Sequence, residues 1–182
     1  MRHIDTWRRG NIEERIVPAP NDFWQVVNTL CEKALEDARS QLHPLLQSME
    51  LDRLDQRNEF LDAFKSALER RIARQLAIWH PGIQAVFRYD ETRMTHKEDW
   101  NGKIQLLVKV PRLSSAINAF GKKLDKSLAN YMRQLNWRRF RTLQSVLNVQ
   151  QVTPNELRHG IGYGAMFYAV YTTPIKVWPR AA

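Results

Sequence analysis

Residues 103–141 constrain the fold of this chain more than any other stretch, because they join a strand pattern directly to a helix pattern. From residue 103 to 110, apolar and other residues alternate, which is the period of a strand with one buried face. Pro111 ends this strand, and the serine pair 114–115 offers a helix cap. Apolar residues then recur at three- and four-residue steps over 113–135. The stretch therefore predicts a strand followed by an amphipathic helix.

Two further helical stripes precede this stretch. The first follows an Asn-Asp cap at residues 21–22 and continues to Met49, with Pro44 expected to kink or split it. The second runs from about residue 51 to residue 79 and ends at the His-Pro-Gly sequence of 80–82. These stripes predict a long helical hairpin or one long broken helix.

Other strand patterns lie at 83–90 and 143–152, and apolar, aromatic segments that fit a last strand lie at 165–171 and 175–178. The polar residues 91–102 are expected to form a loop that closes a hairpin between the first of these strands and the strand described above. Pro174 favours an edge position for the last strand. The element order α-α-β-β-α-β-β predicts an α+β fold, in which the long N-terminal helical hairpin and a third helix pack with a mainly antiparallel sheet of about four strands.

Length and composition predict one folded domain. A chain of 182 residues is long enough to bury roughly 70% of the surface that the unfolded chain exposes. Prolines in residues 1–20 predict an extended arm before a domain spanning 21–182. The one cysteine, Cys31, lies on an apolar stripe and is expected to be a buried thiol. With no run of about 18 apolar residues and no secretory signal pattern, we expect a cytoplasmic protein without a membrane span.

The positive charge of the chain is concentrated in one place. Lys and Arg number 28 against 19 acids, for a formal net charge of +9. Residues 103–141 alone hold ten of these bases and a single acid, Asp125, so the remaining segments together carry no net charge. A localised excess of this size predicts an acidic partner, which is nucleic acid, an acidic protein surface or an anionic membrane surface. The alternative is a solvated basic face that has no partner.

The basic aromatic sequence at residues 136–141, NWRRFR, is the strongest candidate site. Lys and Arg attract phosphates through charge and counterion release, and exposed aromatic rings stack on unpaired bases. This chemistry favours RNA or single-stranded DNA. The alternative is that Trp137 and Phe140, three residues apart, belong to the core. The predicted nucleic-acid-binding residues are Lys122, Lys123, Lys126, Arg133, Trp137, Arg138, Arg139 and Arg141.

Two other function classes stay open. In the first, the chain is a structural or adaptor subunit that binds an acidic protein or a second copy of itself. In the second, it is an enzyme acting on an anionic substrate, with Asp90, His96 and His159 converging near the glycine-rich bend of 159–164. The glycines there fit a packed turn as well as a phosphate cradle. No motif points to a cofactor, a metal or an assigned catalytic residue, so the non-catalytic interpretation leads.

Overall fold

The computed structural model describes residues 20–54, 57–89, 103–137, 140–169 and 173–179, with only the backbone described at residues 20–22 and 52. The predicted arm of residues 1–20 falls outside this description except for Pro20, which opens the first helix. The polar loop of 91–102 also lies outside it.

The elements confirm the predicted α+β fold. The helices are α1 (Pro20–Ser40), α2 (Pro44–Gln47), α3 (Leu51–Leu54), α4 (Asn58–Trp79), α5 (Ser115–Gln134) and α6 (Pro154–His159), followed by a 3₁₀ helix (Gly162–Tyr168). The strands are β1 (Ala85–Arg88), β2 (Ile104–Lys109), β3 (Leu147–Val152) and β4 (Ile175–Trp178).

Helices α1 and α4 form the predicted antiparallel hairpin. Phe23 near the start of α1 stacks on Trp79 at the end of α4, with ring centroids 5.8 Å apart. The first stripe splits before Pro44, which begins α2, as the proline predicts. The expectation of one helix over residues 51–79 is wrong, because α3 ends at Leu54. Arg57 then has extended backbone angles, φ −94° and ψ 114°, that no helix interior adopts.

The sheet is mixed, with strand order β3-β2-β1-β4. β1 pairs antiparallel with β2 and with β4, whereas β2 pairs in parallel with β3. The parallel pair arises because α5 carries the chain back across the sheet between β2 and β3. The edge position expected from Pro174 is that of β4. The strand pattern predicted for residues 165–171 is wrong at its start, where the 3₁₀ helix continues to Tyr168.

The core lies on both faces of the sheet. Ile104, Leu106 and Val108 of β2 are buried on the face covered by the helices, as their alternation predicts. On the opposite face, Leu107 is buried beneath α6 and the 3₁₀ helix. No helix among the described residues is long and apolar enough to cross a membrane.

Cys31 occupies the buried position on α1 that the sequence predicts. Burial raises the pKa of this thiol to about 12, and the neighbouring Glu32 carboxylate adds to the shift. The thiolate, which is the nucleophilic form, is therefore scarce at neutral pH. Cys31 is accordingly a packing residue of the α1 core face.

Candidate nucleic-acid interface

The outer face of α5 carries a row of exposed cations. Lys122, Lys126 and Arg133 are all exposed, and their spacings of four and seven residues place them on one side of the helix. The opposite side of α5 packs into the core through buried residues such as Leu124 and Leu128. The amphipathic pattern of α5 therefore positions this basic row by burying the other face.

These cations form no ion pair with any acid in the described part of the chain. The ion pairs found there join Arg71 to Asp37 at 2.6 Å and Arg88 to Glu69 at 3.6 Å, and neither involves α5. The positive charge of the α5 row is consequently not offset by a contacting carboxylate from these segments.

Asp125, the one acid of residues 103–141, accepts hydrogen bonds from the segment that begins β3. Its Oδ1 accepts the backbone N–H groups of Val146 at 2.7 Å and Leu147 at 2.8 Å. Its Oδ2 accepts the hydroxyl of Ser145 at 2.9 Å. Asp125 thereby ties the beginning of β3 to α5, and both of its oxygens are engaged with groups other than the lysines.

The remaining described cations of the predicted site differ in availability. Lys123 is half-buried, with its Nζ 4.6 Å from the centroid of the Phe23 ring, a cation–π arrangement that ties it to α1. Arg133 donates one Nη1–H to the carbonyl oxygen of Leu143 at 3.2 Å, which uses one of the five N–H donors of its guanidinium. Arg141 is exposed. Lys123 is thus the least accessible of these side chains.

Trp137 is a core residue rather than a stacking platform. Its side chain is only 5% exposed, and its ring lies against Phe60 at 5.8 Å, Phe64 at 6.2 Å and Phe140 at 5.2 Å between centroids. A base cannot stack on a ring whose faces are covered by other side chains. The core alternative for Trp137 and Phe140 is therefore the correct one, as their three-residue spacing allowed.

Two predicted residues cannot be placed. Arg138 and Arg139 lie outside the described residues, so their part in the site stays a prediction.

A groove that the sequence interpretation missed runs beside the basic row, between α5 and the edge strand β3. Its volume is about 350 Å³. The two walls approach closely because residue 121 is glycine: a Cβ there would lie 3.2 Å from the Cβ of Val149. The sequence signal that could have indicated this groove is the presence of polar residues within the β3 segment. The groove is lined by Lys103, Asn118, Gly121, Lys122, Asp125, Ser145, Leu147, Asn148, Val149 and Gln150.

The enzyme hypothesis gains no geometry from the described residues. Asp90 and His96 lie outside them, so the convergence of these residues with His159 stays a prediction. His159 is exposed, with its Nδ1 2.9 Å from the carbonyl oxygen of Asn155. No group of three or more His, Cys, Asp or Glu side chains in the described segments could hold a metal ion.

The glycine-rich bend is a packed turn. Gly160 ends α6 in the left-handed conformation, with φ 62° and ψ 35°, which glycine adopts without steric cost. Gly164 packs against the backbone of Glu156 so closely that a Cβ would collide with the Glu156 carbonyl oxygen. These contacts explain the glycines without a phosphate.

No protein-family model, curated protein or solved structure matches this chain. The features of the described residues that bear on its function are the exposed charge of α5, the hydrogen bonds of Asp125 and the groove beside them.

Proposed function

We propose that this protein is a non-catalytic nucleic-acid-binding protein that contacts phosphates through the basic row of α5. The main support is that Lys122, Lys126 and Arg133 lie on one exposed face of α5 and contact no acid of the described segments. The nearby Asp125 is bonded to the start of β3 instead. A phosphate backbone is the common polyanion that such a row attracts.

The length of the row supports this proposal. With a rise of about 1.5 Å per residue, the α5 backbone from residue 122 to residue 133 extends about 16 Å. That length lets the row face several consecutive phosphates of one strand. Arg141 is also exposed and would extend the contact beyond the end of α5. Each neutralised phosphate releases counterions, so binding of this kind weakens as salt concentration rises.

The test is fluorescence anisotropy of labelled single-stranded RNA, single-stranded DNA and duplex DNA, from about 50 to 200 mM salt. We expect Lys122→Gln/Lys126→Gln/Arg133→Gln to lower affinity at least tenfold at low salt. Because the slope of log affinity against log salt changes by about 0.7 per single-strand phosphate contact, losing three contacts should reduce it by about 2.

The matched control removes the same charge elsewhere. Lys33, Arg70 and Arg74 are exposed on α1 and α4, and their replacement by Gln lowers the net charge by the same three units. We expect this control to bind nearly as well as the unmodified protein. Equal loss in both variants would show that net charge alone matters, and no binding at low salt would overturn the proposal.

An acidic protein partner is the second candidate, favoured by a groove of about 550 Å³ between α1 and α4. Its wall includes Ile78, which is 60% exposed, beside the cations Lys33 and Arg74, and no acid among the described residues lines it. This combination is complementary to an acidic amphipathic helix of a partner. Titration with a synthetic helix of Leu and Glu tests the groove. Weaker binding of this helix to Lys33→Gln/Arg74→Gln than to the unmodified protein would support an acidic protein partner. No binding of the helix to the unmodified protein would rule this partner out.

A further inference from the structure

We infer that the groove between α5 and β3 receives one unpaired base of the bound strand, which makes the protein selective for single-stranded nucleic acid. This inference rests on the proposed function, because the basic row of α5 would hold the backbone whose base enters the groove. Lys122 belongs to both the row and the groove lining, so the two are continuous.

The size of the groove fits a ligand of this kind. Its volume of about 350 Å³ lies at the lower end of the roughly 300–1,000 Å³ typical of small-molecule sites. A base in a duplex is stacked and paired, so entering a groove of this size would require it to leave the helix. A base in a single strand is already unpaired, and only such a strand enters without that cost.

A side-chain amide supplies a hydrogen-bonding group at the groove. Asn118 accepts the Nε2–H of Gln151 on its Oδ1 at 2.8 Å, which leaves the Asn118 NH₂ group as a donor. Because Gln151 faces α5, its neighbour Gln150 lies on the other face of the sheet, where its Nε2–H bonds Oδ1 of Asn148 at 2.8 Å. The side-chain donor that a base edge can meet in the groove is therefore that of Asn118.

The edge of β3 that pairs with no strand among the described residues adds backbone groups. The carbonyl oxygens of Val146 and Val152 accept N–H groups from the β2 side, at 2.6 Å from Ile104 and 3.0 Å from Val110. Since alternate residues of a strand point their backbone groups in opposite directions, the N–H and C=O of Val149 face away from β2. A base edge lying along β3 would meet this adjacent donor and acceptor pair.

The charges around the groove favour a nucleotide over a neutral ligand. Lys103 and Lys122 line it and are exposed, whereas Asp125 has both oxygens engaged with Ser145 and the start of β3. Two lysines against one hydrogen-bonded carboxylate leave the rim positive. The phosphates on either side of an inserted base would lie at this rim.

The test removes the amide without changing charge or bulk. Asn118→Leu replaces it with an apolar side chain of similar size, and Gln151 keeps its second bond, to the carbonyl oxygen of Ser114 at 2.7 Å. We expect affinity for single-stranded RNA or DNA to fall about fivefold, with the salt slope and the weaker duplex binding unchanged. The matched control is Asn155→Leu, at an exposed position of α6 outside both the groove and the basic row, and it should leave binding unchanged.

A fluorescent base gives an independent readout. We expect 2-aminopurine in the labelled strand to change its emission on binding to the unmodified protein, and to change less with Asn118→Leu. Circular dichroism verifies that this variant is folded.

The outcomes separate the two proposals. If strands bind in a salt-dependent way that requires the basic row, but duplex binds equally well or the groove variant matches its control, only the base-binding inference is overturned. If no nucleic acid binds at low salt, the proposed function fails first.

Discussion

Helices α4 and α5 both carry exposed cations, yet their acids make different contacts. On α4, Arg71 pairs with Asp37 of α1 at 2.6 Å, and Glu69 lies 3.6 Å from Arg88. On α5, the one acid, Asp125, is turned toward the beginning of β3, and the exposed Lys122 and Lys126 contact no acid of the described residues. The two helices therefore differ in whether their acids pair with a cation or bond the backbone of a neighbouring strand.

The largest expected effect is a loss of stability on substitution of Trp137, which follows the end of α5. If Trp137 belongs to the core, Trp137→Ala should lower the free energy of unfolding by about 3–5 kcal/mol, because it leaves a cavity beside Phe60 and Phe64. Urea unfolding measures this loss. A variant that keeps full stability but loses nucleic-acid binding would instead place Trp137 at the interface.

Substitution of Asp125 and of Asp37 should lower the free energy of unfolding by an intermediate and a small amount, respectively. Asp125→Ala leaves the N–H groups of Val146 and Leu147 without their acceptor, so we expect a loss of about 1–3 kcal/mol in unfolding free energy. Asp37→Ala removes a partly exposed ion pair with Arg71, for which the expected loss is about 0.2–1 kcal/mol. Urea unfolding of both variants gives the difference. Equal losses would contradict the anchoring role of Asp125.

The contact between α1 and α5 predicts a smaller effect that depends on pH. Burial, then the nearby Cys31 and Glu32, raises the pKa of Tyr131 from 10.0 to about 12, and burial raises that of Cys31 from 9.0 to about 12. Both groups hold their protons more tightly in the folded state. Their stabilisation is therefore complete below about pH 9 and is lost as pH rises toward 12.

Tyr131→Phe removes one of these two ionisations and keeps the ring. We expect the unfolding free energy of this variant to fall less between about pH 8 and pH 11 than that of the unmodified protein. Urea unfolding at the two pH values measures the difference. An identical fall in both proteins would show that Tyr131 does not contribute.

Much of the fold could be predicted because its signals are local. The alternation over residues 104–108 identified the buried face of β2, and Pro44 marked the break after α1. The break before α4 was missed, since Arg57 carries no strong helix-breaking signal and yet adopts an extended backbone. The 3₁₀ helix was missed because short apolar, aromatic runs fit strands and buried turns equally well.

The candidate site could be predicted only in part. Exposure of Lys122, Lys126 and Arg133 follows from their place opposite the apolar stripe of α5. The groove could not be predicted from the sequence, because it depends on how closely α5 approaches β3 at Gly121. No local sequence pattern defines the crossover that brings these two elements together.

The sequence by itself determined the element order, the buried faces and the concentration of positive charge in residues 103–141, because each depends on residue spacing or composition. Only the tertiary structure decided that Trp137 lies in the core, since that requires Phe60 and Phe64 from α4. It also decided that Asp125 anchors β3 instead of pairing with a lysine. Both outcomes depend on contacts between segments that are distant along the chain. Such contacts cannot be predicted from the residues adjacent in sequence.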